Sequence, residues 1–534
     1  MSQTTFAAID VGSNEVSMKI FEVSKKKGIL ELDHVRHTIE LGADTYSIGK
    51  ISHSLVDELC NVLIGFTKKM KEYDVTVYNA CATSAIREAQ NQLLILDQIK
   101  LSSGLKVKIL SNSEQRFLLH KAIALKENDF NSIIQKGTAI VDVGAGSIQI
   151  SLFSRQNLLT TQNIKLGSLR IRELLSDLEY QTSDYNHLIS EYIDNDIQTF
   201  KDLFFEQIDI KHIIGIGENL TEFIRNSFEL FQRQNGNLNS FEPSSEGSTD
   251  RINRADFEEF YQKLLSTSIE IISHQLGIPR EQATLILPTA MIYEQMFQVT
   301  NAEFMWLPGS TLCDGLVADY AEKKEKILPS HEFSQDILST ARNIARRYQC
   351  NKAHTQFVEQ MSILIFDHMK KIHGLGKHEC LLLQIASLLH SCGEFINMNS
   401  VADNSYHIIM ASEIIGLSHK EREMVACMAR YNTEPFPVLT EEKIMFEHEQ
   451  YITLCKLTAI LQIANALDKS HKQKFETIRI VSKDNEMVMY ADTLNDITLE
   501  QGLVRKKAYF FEEVYGIRPV LKRKKEHLLW ETSK

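Results

Sequence analysis

The sequence lacks the features that mark membrane, secreted and metal-cluster proteins. No apolar run approaches the ~18 residues needed to span a bilayer, and the N-terminal stretch "MSQTTFAAID" has neither the charged nor the apolar segment of a signal peptide. The eight cysteines are scattered, with none in a C-x-x-C pair, so a disulfide framework or a cysteine metal site is not expected. These absences predict a soluble protein of a reducing cytoplasm.

The sequence also has no excess of positive charge. Its 58 lysines and arginines are outnumbered by 70 aspartates and glutamates, which gives a formal net charge of −12. A chain of this charge is not expected to bind nucleic acid or membrane surfaces in general. Basic clusters nevertheless occur at residues 469–474 ("KSHKQK") and 522–525 ("KRKK"). The charge pattern alone indicates solvated faces there, although a local basic field is able to bind a polyanion.

What the sequence does contain is a repeated α/β pattern. Strand and helix signals alternate from residue 6 to about 125, and the same order restarts near residue 137. A charged segment at residues 321–334 precedes a long stretch of amphipathic helix pattern, and strand signals return in the last part of the chain. We predict domains over residues 1–126, 127–322, 335–468 and 469–534, with a polar surface loop at about 231–251.

One strand–turn–strand motif occurs twice. "AAIDVGSNEVSMKIF" spans residues 7–21, and "AIVDVGAGSIQISLF" spans residues 139–153. In each copy an apolar strand ends in an aspartate, Asp10 or Asp142, and a glycine then permits a turn whose successive N–H groups converge on an anion. The carboxylate of such a turn suits a metal ion or a water rather than a phosphate oxygen. Two copies that face each other predict one site between two lobes, which holds adjacent phosphates.

Further motifs accompany the two turns: "ATSAIREAQN" at residues 82–91, "LSNSEQRF" at 110–117, "LGSLRIRE" at 166–173 and "ASLLHSCGEFI" at 386–396. Together they resemble the exopolyphosphatase/guanosine pentaphosphate phosphatase family, which belongs to the superfold of actin, sugar kinases and heat-shock ATPases. The likeness extends over nearly the whole chain. It implies an α/β fold of two ribonuclease-H-like, actin-type lobes, followed by an all-α HD-like domain and a small α/β tail.

The resemblance implies hydrolysis of the terminal phosphoanhydride of linear polyphosphate with Mg²⁺ or another divalent cation. Asp142 and Asp10 would hold the cation, and Arg87 would clamp a phosphate. Glu114 would orient or deprotonate the attacking water, and Gln149 occupies the position of the second catalytic carboxylate. The phosphate-binding residues that the resemblance implies are Asp10, Gly12, Ser13, Asn14, Gly144, Gly146 and Ser147.

Several positions depart from the family pattern. Gln149 stands where the family has the glutamate that closes its second phosphate loop, and Gln115 replaces the second glutamate of the pair in "LSNSEQ". An amide orients a water but accepts no proton from it. Loss of one catalytic carboxylate predicts a rate lower by about 10²–10⁴ if that group is the general base. The other departures are Asn112, Ala145, Ile148, Glu218 and Asn219, together with the additional carboxylate Glu15.

The helical domain departs further from a working HD metal site. Such a site needs an adjacent His-Asp pair, which here is His390-Ser391. His354 matches the first ligand, but Asn404 and Asn432 stand where relatives have histidines. We predict that this domain binds no catalytic metal and has become structural or regulatory.

The basic clusters gain a possible role from the resemblance, since a polyphosphate that leaves the cleft carries roughly one charge per unit. The predicted basic rim consists of Lys469, Lys472, Lys474, Lys522, Arg523 and Lys524. Family membership also implies a homodimer.

Three functions stay open from the sequence. The first is an Mg²⁺-dependent exopolyphosphatase. The second is a catalytically weak protein that binds polyphosphate or a guanosine polyphosphate, and Gln149 motivates it. The third is a guanosine pentaphosphate 5′-phosphatase. An ATP-driven actin-like protein is disfavoured because "GIGENL" at residues 215–220 is a poor adenosine-binding loop.

Overall fold

The computed structural model describes residues 4–126, 130–179, 181–205, 208–217, 224–228, 251–327, 331–437 and 446–524. The chain divides into two compact units, Met1–Asp336 and Ile337–Lys534. Within the described part of the chain, no helix is both long enough and apolar enough to cross a lipid bilayer.

The first unit contains a five-stranded sheet with the order β3-β2-β1-β4-β5. Its strands are β1 (Thr4–Val11), β2 (Glu15–Ser24), β3 (Gly28–Thr38), β4 (Val77–Ala82) and β5 (Val107–Ile109). β1, β2 and β3 form an antiparallel meander, whereas β4 and β5 run parallel to β1. The parallel pairs need crossover helices, which the long helical segments between these strands provide.

A second sheet in the same unit repeats this arrangement, with the order β10-β11-β9-β6-β7-β8. Its strands are β6 (Thr138–Val143), β7 (Ile148–Ser154), β8 (Asn157–Ile164), β9 (His212–Ile216), β10 (Arg251–Asn253) and β11 (Phe304–Trp306). Again the first three strands form an antiparallel meander, and the next strand of the lobe, β9, pairs in parallel with the first, β6. The repeated motif of the sequence is thus a repeated lobe.

Helices surround both sheets. Those of the first unit are Leu41–Ile48, His53–Glu72, Ser84–Glu88, Gln92–Ser103, Asn112–Lys126, Phe130–Gln135, Ser168–Leu175, Tyr185–Phe204, Arg254–Leu265, Ile269–Leu276, Arg280–Val299 and Leu312–Tyr320. Short helical turns lie at Ser176–Leu178 and Ala321–Glu325, and the helix Phe333–Arg347 contains the boundary between the units.

The interior strands explain how the site is built. β6 is buried at every position, and β1 is buried from Phe6 to Val11. A strand covered on both faces reads as a continuous apolar run. An aspartate at the end of such a strand is therefore carried into the interior of the unit, where its ionised form needs a partner.

The second unit combines a helical bundle with a small sheet. Its helices are Lys352–His373, Lys377–Leu389, Val401–Ala411, His419–Tyr431, His448–Ala466 and Thr498–Tyr515, with a short turn at Cys392–Phe395. The sheet contains β12 (Thr477–Lys483), β13 (Glu486–Asp492) and β14 (Arg518–Arg523) in that order. β12 and β13 form the predicted hairpin, and β14 pairs in parallel with β13.

The predicted fold class is confirmed: two α/β lobes precede a helical region and a small C-terminal sheet. The domain boundaries within each unit stay predictions. The predicted polar loop at 231–251 lies outside the described residues except for Arg251, which begins β10, and Glu218 and Asn219 lie outside them as well.

Candidate active site

The two acidic turns have the same backbone structure. The Gly12 amide donates to the Glu15 carbonyl oxygen over 2.9 Å, and the Gly144 amide donates to the Ser147 carbonyl oxygen over 3.0 Å. Asp10 lies opposite Ser17 in the β1–β2 pair, and Asp142 lies opposite Gln149 in the β6–β7 pair. Gln149 therefore occupies the position in the second lobe that Ser17 occupies in the first.

Both aspartates line one cleft of the first unit, with a volume of about 300 Å³. Asp10 and Asp142 are only 5% and 6% exposed, and Asp10 Oδ1 has no hydrogen-bond partner among the described residues. Gly144 and Gln115 line the same cleft. Basic side chains also line the cleft: Lys19, His34, Arg36, Lys126 and Arg225. Glu15 is a third buried carboxylate of the lining, so the cleft combines three buried carboxylates with basic side chains.

The basic lining was not among the predicted site residues. Lys19 shares a face of β2 with Ser17, because alternate strand residues point the same way. The Lys19 and Lys126 ammonium groups each lie 3.0 Å from a carboxylate oxygen of the buried Asp314. The alternation of side chains along β2 could therefore have identified Lys19 as a site residue from the sequence. Nothing in the sequence pairs Asp314 with residues some three hundred and two hundred positions earlier in the chain.

Burial dominates the electrostatics of the two aspartates. It raises the pKa of Asp10 to about 7, and the neighbouring charges of Glu15 and Asp142 add to the increase. Burial likewise raises the pKa of Asp142 to about 7, against the opposing effect of Arg116. Arg116 is 2% exposed. The site therefore holds ionised carboxylates only at a cost that a bound cation would offset.

We expect the cation-free protein to lose stability as the pH rises from about 4 to about 8. The pKa values of Asp10 and Asp142 are about 7 in the folded chain, above the ordinary value for an unfolded aspartate, so the folded state binds more protons in this window. Melting temperatures in the presence of a chelator at pH 5 and pH 8 test this. The assignment would be contradicted if the wild type melted at a higher temperature at pH 8 than at pH 5 and Asp142→Asn did the same.

Glu114 does not line the cleft. Its carboxylate accepts hydrogen bonds from the Ser111 amide (2.9 Å) and the Lys108 ammonium (2.6 Å). The Ser111 hydroxyl in turn accepts from the Glu114 amide over 3.2 Å, which completes a capping box for the helix Asn112–Lys126. The next residue, Gln115, faces the cleft instead. The structure thus does not bring Glu114 together with Asp10 and Asp142.

Replacement of the cap should affect stability. We expect Glu114→Ala to cost about 1 kcal/mol, because the substitution leaves the Ser111 amide without its acceptor and removes a charge at the helix N-terminus. Thermal unfolding checks this, with Glu114→Gln as the matched variant, since glutamine retains an acceptor for the capping box. An unchanged melting temperature in Glu114→Ala would show that the cap is not significant.

Ser13 and Gly146 of the two predicted phosphate loops pack against Tyr46. The Ser13 hydroxyl lies 2.8 Å from Tyr46 Oη and 2.7 Å from Ser84 Oγ. A Cβ placed on Gly146 would overlap with Tyr46 Oη, so only glycine fits there. Of the predicted residues, Asp10, Asp142 and Gly144 line the cleft, whereas the following do not: Gly12, Ser13, Asn14, Arg87, Glu114, Gly146, Ser147 and Gln149.

Two arginines of "LGSLRIRE" bridge the lobes beside Tyr46. Arg170 lies over the Tyr46 ring at 4.1 Å and pairs with Glu88 at 2.8 Å, and Arg172 pairs with Glu40 at 2.9 Å. These contacts join the helix after β8 to the first lobe. They explain why the two loops lie against each other here.

Arg87 and Gln149 are not among the residues that line the cleft. Arg87 Nη1 donates to the Leu110 carbonyl oxygen over 2.7 Å. Gln149 is 2% exposed, and its Oε1 has no hydrogen-bond partner among the described residues. A buried amide oxygen without a donor is costly, so Gln149 is a position where the packing is not optimised for the present side chain.

The predicted basic rim is largely engaged in pairs within the second unit. Lys474 lies 3.0 Å from the buried Glu500 carboxylate, and Lys524 lies 2.9 Å from Asp492. Lys522 is 3.9 Å from Glu486, and Arg523 Nε donates to the Thr493 carbonyl oxygen. Lys472 is exposed, and Lys469 lines a separate cavity of this unit. The rim function of these residues stays a prediction.

Two lobes of similar topology, each with a strand that ends in an aspartate at a shared cleft, define an actin-like fold. The Ppx/GppA phosphatase family model matches residues 20–324, and the model of Ppx/GppA phosphatase domain III matches residues 338–507. The chain therefore belongs to the Ppx/GppA phosphatase family.

Individual relatives are distant but match over most of their length. A guanosine-5′-triphosphate,3′-diphosphate pyrophosphatase of Photobacterium profundum is 19% identical over 94% of this chain and 96% of its own. The protein of the same name from Aliivibrio fischeri strain ES114 is 19% identical over 90% of each chain. The crystal structure of an exopolyphosphatase from Cytophaga hutchinsonii superposes on 60% of this chain and 97% of its own, with a TM-score of 0.51 and 16% identity. This structural likeness concerns the fold alone.

Proposed function

We propose that this chain hydrolyses the terminal phosphoanhydride of inorganic polyphosphate with the help of a divalent cation such as Mg²⁺. The observation that carries the proposal is the cleft in which two buried carboxylates, Asp10 and Asp142, share a cavity with a cationic lining. The carboxylates suit a hard cation, and the basic side chains suit the phosphates that follow the reacting one.

The cleft residues fit a divalent cation. The charge of Asp142 raises the pKa of Asp10. Asp10 Oδ1 is buried and has no hydrogen-bond donor among the described residues. Two carboxylate ligands suffice for Mg²⁺, which keeps several waters. When bound, the cation would neutralise charge on the phosphoryl oxygens. Asp10 and Asp142 would hold it, with no ligand required from Glu114.

The attacking water needs a residue that orients it. Gln115 lines the cleft, and its Oε1 is buried without a partner among the described residues. We assign this orienting role to Gln115 in place of Glu114, whose carboxylate caps its helix. An amide accepts a hydrogen bond from the water but not its proton. The proton acceptors among the described cleft residues are therefore the carboxylates Asp10, Glu15 and Asp142 and the imidazole of His34, and the phosphate oxygens of the substrate are a further choice.

The lining favours polyphosphate over a nucleotide. No Phe, Tyr or Trp is present among the described residues that line the cleft, so a guanine base would find no aromatic ring there on which to stack. A linear phosphate chain needs only the cationic side chains. Arg36 and Arg225 provide guanidinium groups of the geometry that binds two phosphate oxygens at once.

Hydrolysis of the 5′-phosphate of guanosine pentaphosphate is the second candidate. Its support is the near full-length similarity to relatives that carry the guanosine-5′-triphosphate,3′-diphosphate pyrophosphatase name. A third reading, binding without turnover, is supported by the two glutamines Gln115 and Gln149 at positions where the family has carboxylates.

Initial rates of phosphate release from both substrates by the full chain with Mg²⁺ separate these functions. We expect kcat/KM for long-chain polyphosphate to exceed that for guanosine pentaphosphate by at least about tenfold, since the nucleoside gains no stacking contact. A preference for guanosine pentaphosphate would favour the second candidate. Binding of either substrate without release would favour the third.

A further inference from the structure

A second cavity lies within the Ile337–Lys534 unit, where the family resemblance places a degenerate HD site. It has a volume of about 350 Å³, and its lining includes His354, His390, Lys469, His471, Asn465 and Met398. A cavity of this size accommodates a small organic ligand. The histidines reach it from the helices Lys352–His373 and Lys377–Leu389 and from the segment after the helix His448–Ala466.

The histidines of this cavity are fixed by contacts within the protein. His354 Nδ1 lies 2.9 Å from Asp468 Oδ2, and His354 Nε2 lies 3.2 Å from His390 Nε2. His390 Nδ1 lies 2.9 Å from the Ser387 carbonyl oxygen, to which it donates. Asp468 Oδ2 and His390 Nε2 thus occupy the two ring nitrogens of His354. Both histidines are held in place by partners within the protein.

Lys469 and His471 lie together at this cavity. His471 stacks on His354 with ring centroids 3.7 Å apart, and Lys469 is exposed at the cavity with no ion-pair partner among the described residues. Burial and the charge of Lys469 lower the pKa of the nearby Lys507. An anion beside Lys469 would offset this repulsion between the two ammonium groups.

Two of the three acidic residues at this cavity pair with an arginine. Asp403 and Glu434 also line it, but both pair with Arg430, at 2.5 Å and 3.2 Å. Glu394 is the remaining carboxylate of the lining, and it faces His471. In addition, Asn465 is 8% exposed, and its Oδ1 has no hydrogen-bond partner among the described residues. The cavity therefore offers ammonium and imidazole donors together with an unused acceptor.

We propose that this cavity is a second ligand site, which binds a phosphate group through Lys469 and His471 and a ligand hydroxyl through Asn465 Oδ1. The chemistry is shared by free orthophosphate in its hydrogen-phosphate form and by the phosphate monoester of a small polyol or sugar. The site is separate from the proposed hydrolytic cleft and does not depend on turnover there. The proposal gives a binding role to a domain in which Ser391, Asn404 and Asn432 stand where an HD metal site has ligands.

Calorimetric titration of the full chain with orthophosphate and with ribose 5-phosphate, in the presence of a chelator, tests the proposal. We expect Lys469→Ala to weaken one class of sites at least about tenfold, because a charge-assisted hydrogen bond is lost, and Lys469→Arg to restore most of the affinity. The exposed Lys472 lies outside the cavity lining, so Lys472→Ala is the matched control and should bind as the wild type does.

The two probes also distinguish the ligand sources. Tighter binding of ribose 5-phosphate identifies a phosphate monoester, whereas equal or tighter binding of orthophosphate identifies the free ion. The imidazole ¹⁵N signals of the protein provide a second measurement: those of two or more histidines should shift on addition of the ligand in the wild type and not in Lys469→Ala. Binding that is unchanged in Lys469→Ala, or an equal loss in Lys469→Ala and Lys472→Ala, would overturn the proposal.

Discussion

The Asp142→Asn variant should release phosphate about 10³-fold more slowly than the wild type and yet melt at a higher temperature at pH 8. Asp142 is 6% exposed at the cleft, and burial raises its pKa to about 7. Asparagine has nearly the same shape but provides neither the charge that holds a cation nor a proton acceptor. Removal of a buried charge stabilises the fold where that charge lacks a protein partner. Loss of activity with a gain of stability is the signature of a functional carboxylate.

The temperature effect should depend on pH. At pH 5 the wild-type Asp142 is largely protonated, since its pKa is about 7, so the two proteins should melt alike there. Asp209→Asn is the matched control: this carboxylate is 57% exposed and pairs with Lys211, and its replacement should leave the rate within twofold. A rate in Asp142→Asn close to that of the wild type would remove Asp142 from the mechanism.

The Gln115→Glu variant should accelerate phosphate release by about 10- to 100-fold. Gln115 lines the cleft with Asp10 and Asp142, and its Oε1 is buried without a partner among the described residues. A carboxylate there would accept the proton of the attacking water, and general base catalysis increases the rate by factors of about this size. The added charge should also lower the melting temperature without a divalent cation, because four carboxylates would then share one cleft.

Gln149→Glu is the matched variant for this test. Gln149 is equally an amide in place of a family glutamate, but it is 2% exposed and does not line the cleft. Its replacement should therefore destabilise the chain and raise the rate less than Gln115→Glu does. A larger acceleration in Gln149→Glu, with none in Gln115→Glu, would show that the catalytic water lies on the Gln149 side of the second loop.

The duplicated fold was predictable because its signals are local. Each copy of the motif specifies a buried strand, a glycine turn and a returning strand, and the register of the pairs follows from the turn. Asp10 and Asp142 were therefore found from the sequence, and the structure places both at one cleft. The spacing between the copies was enough to predict two lobes.

Glu114 and Gln115 are adjacent in one helix but differ in position. Consecutive helix residues point about 100° apart, and of these two only Gln115 lines the cleft. The catalytic role of Glu114 stays a prediction. A competing local signal was present, since Ser111 and Glu114 have the spacing of a capping box. The structure places Glu114 in that box and Gln115 at the cleft.

Other site features depend on contacts between distant segments, which no local pattern specifies. Tyr46 meets the two phosphate loops through Ser13 and Gly146, and Arg170 covers its ring. Arg116 lies buried near Asp142, although arginine side chains are seldom fully buried in proteins. The sequence alone therefore does not identify these residues as part of the site.

The most direct test of the central claim is the initial rate of orthophosphate release from long-chain polyphosphate by the purified full chain with Mg²⁺. We predict sustained release over many turnovers, lost when a chelator removes the cation and reduced about 10³-fold in Asp142→Asn. Tight binding of polyphosphate by the wild type with no release above that of Asp142→Asn would contradict the claim. The cleft of Asp10 and Asp142 would then be a binding site for polyphosphate rather than an active site.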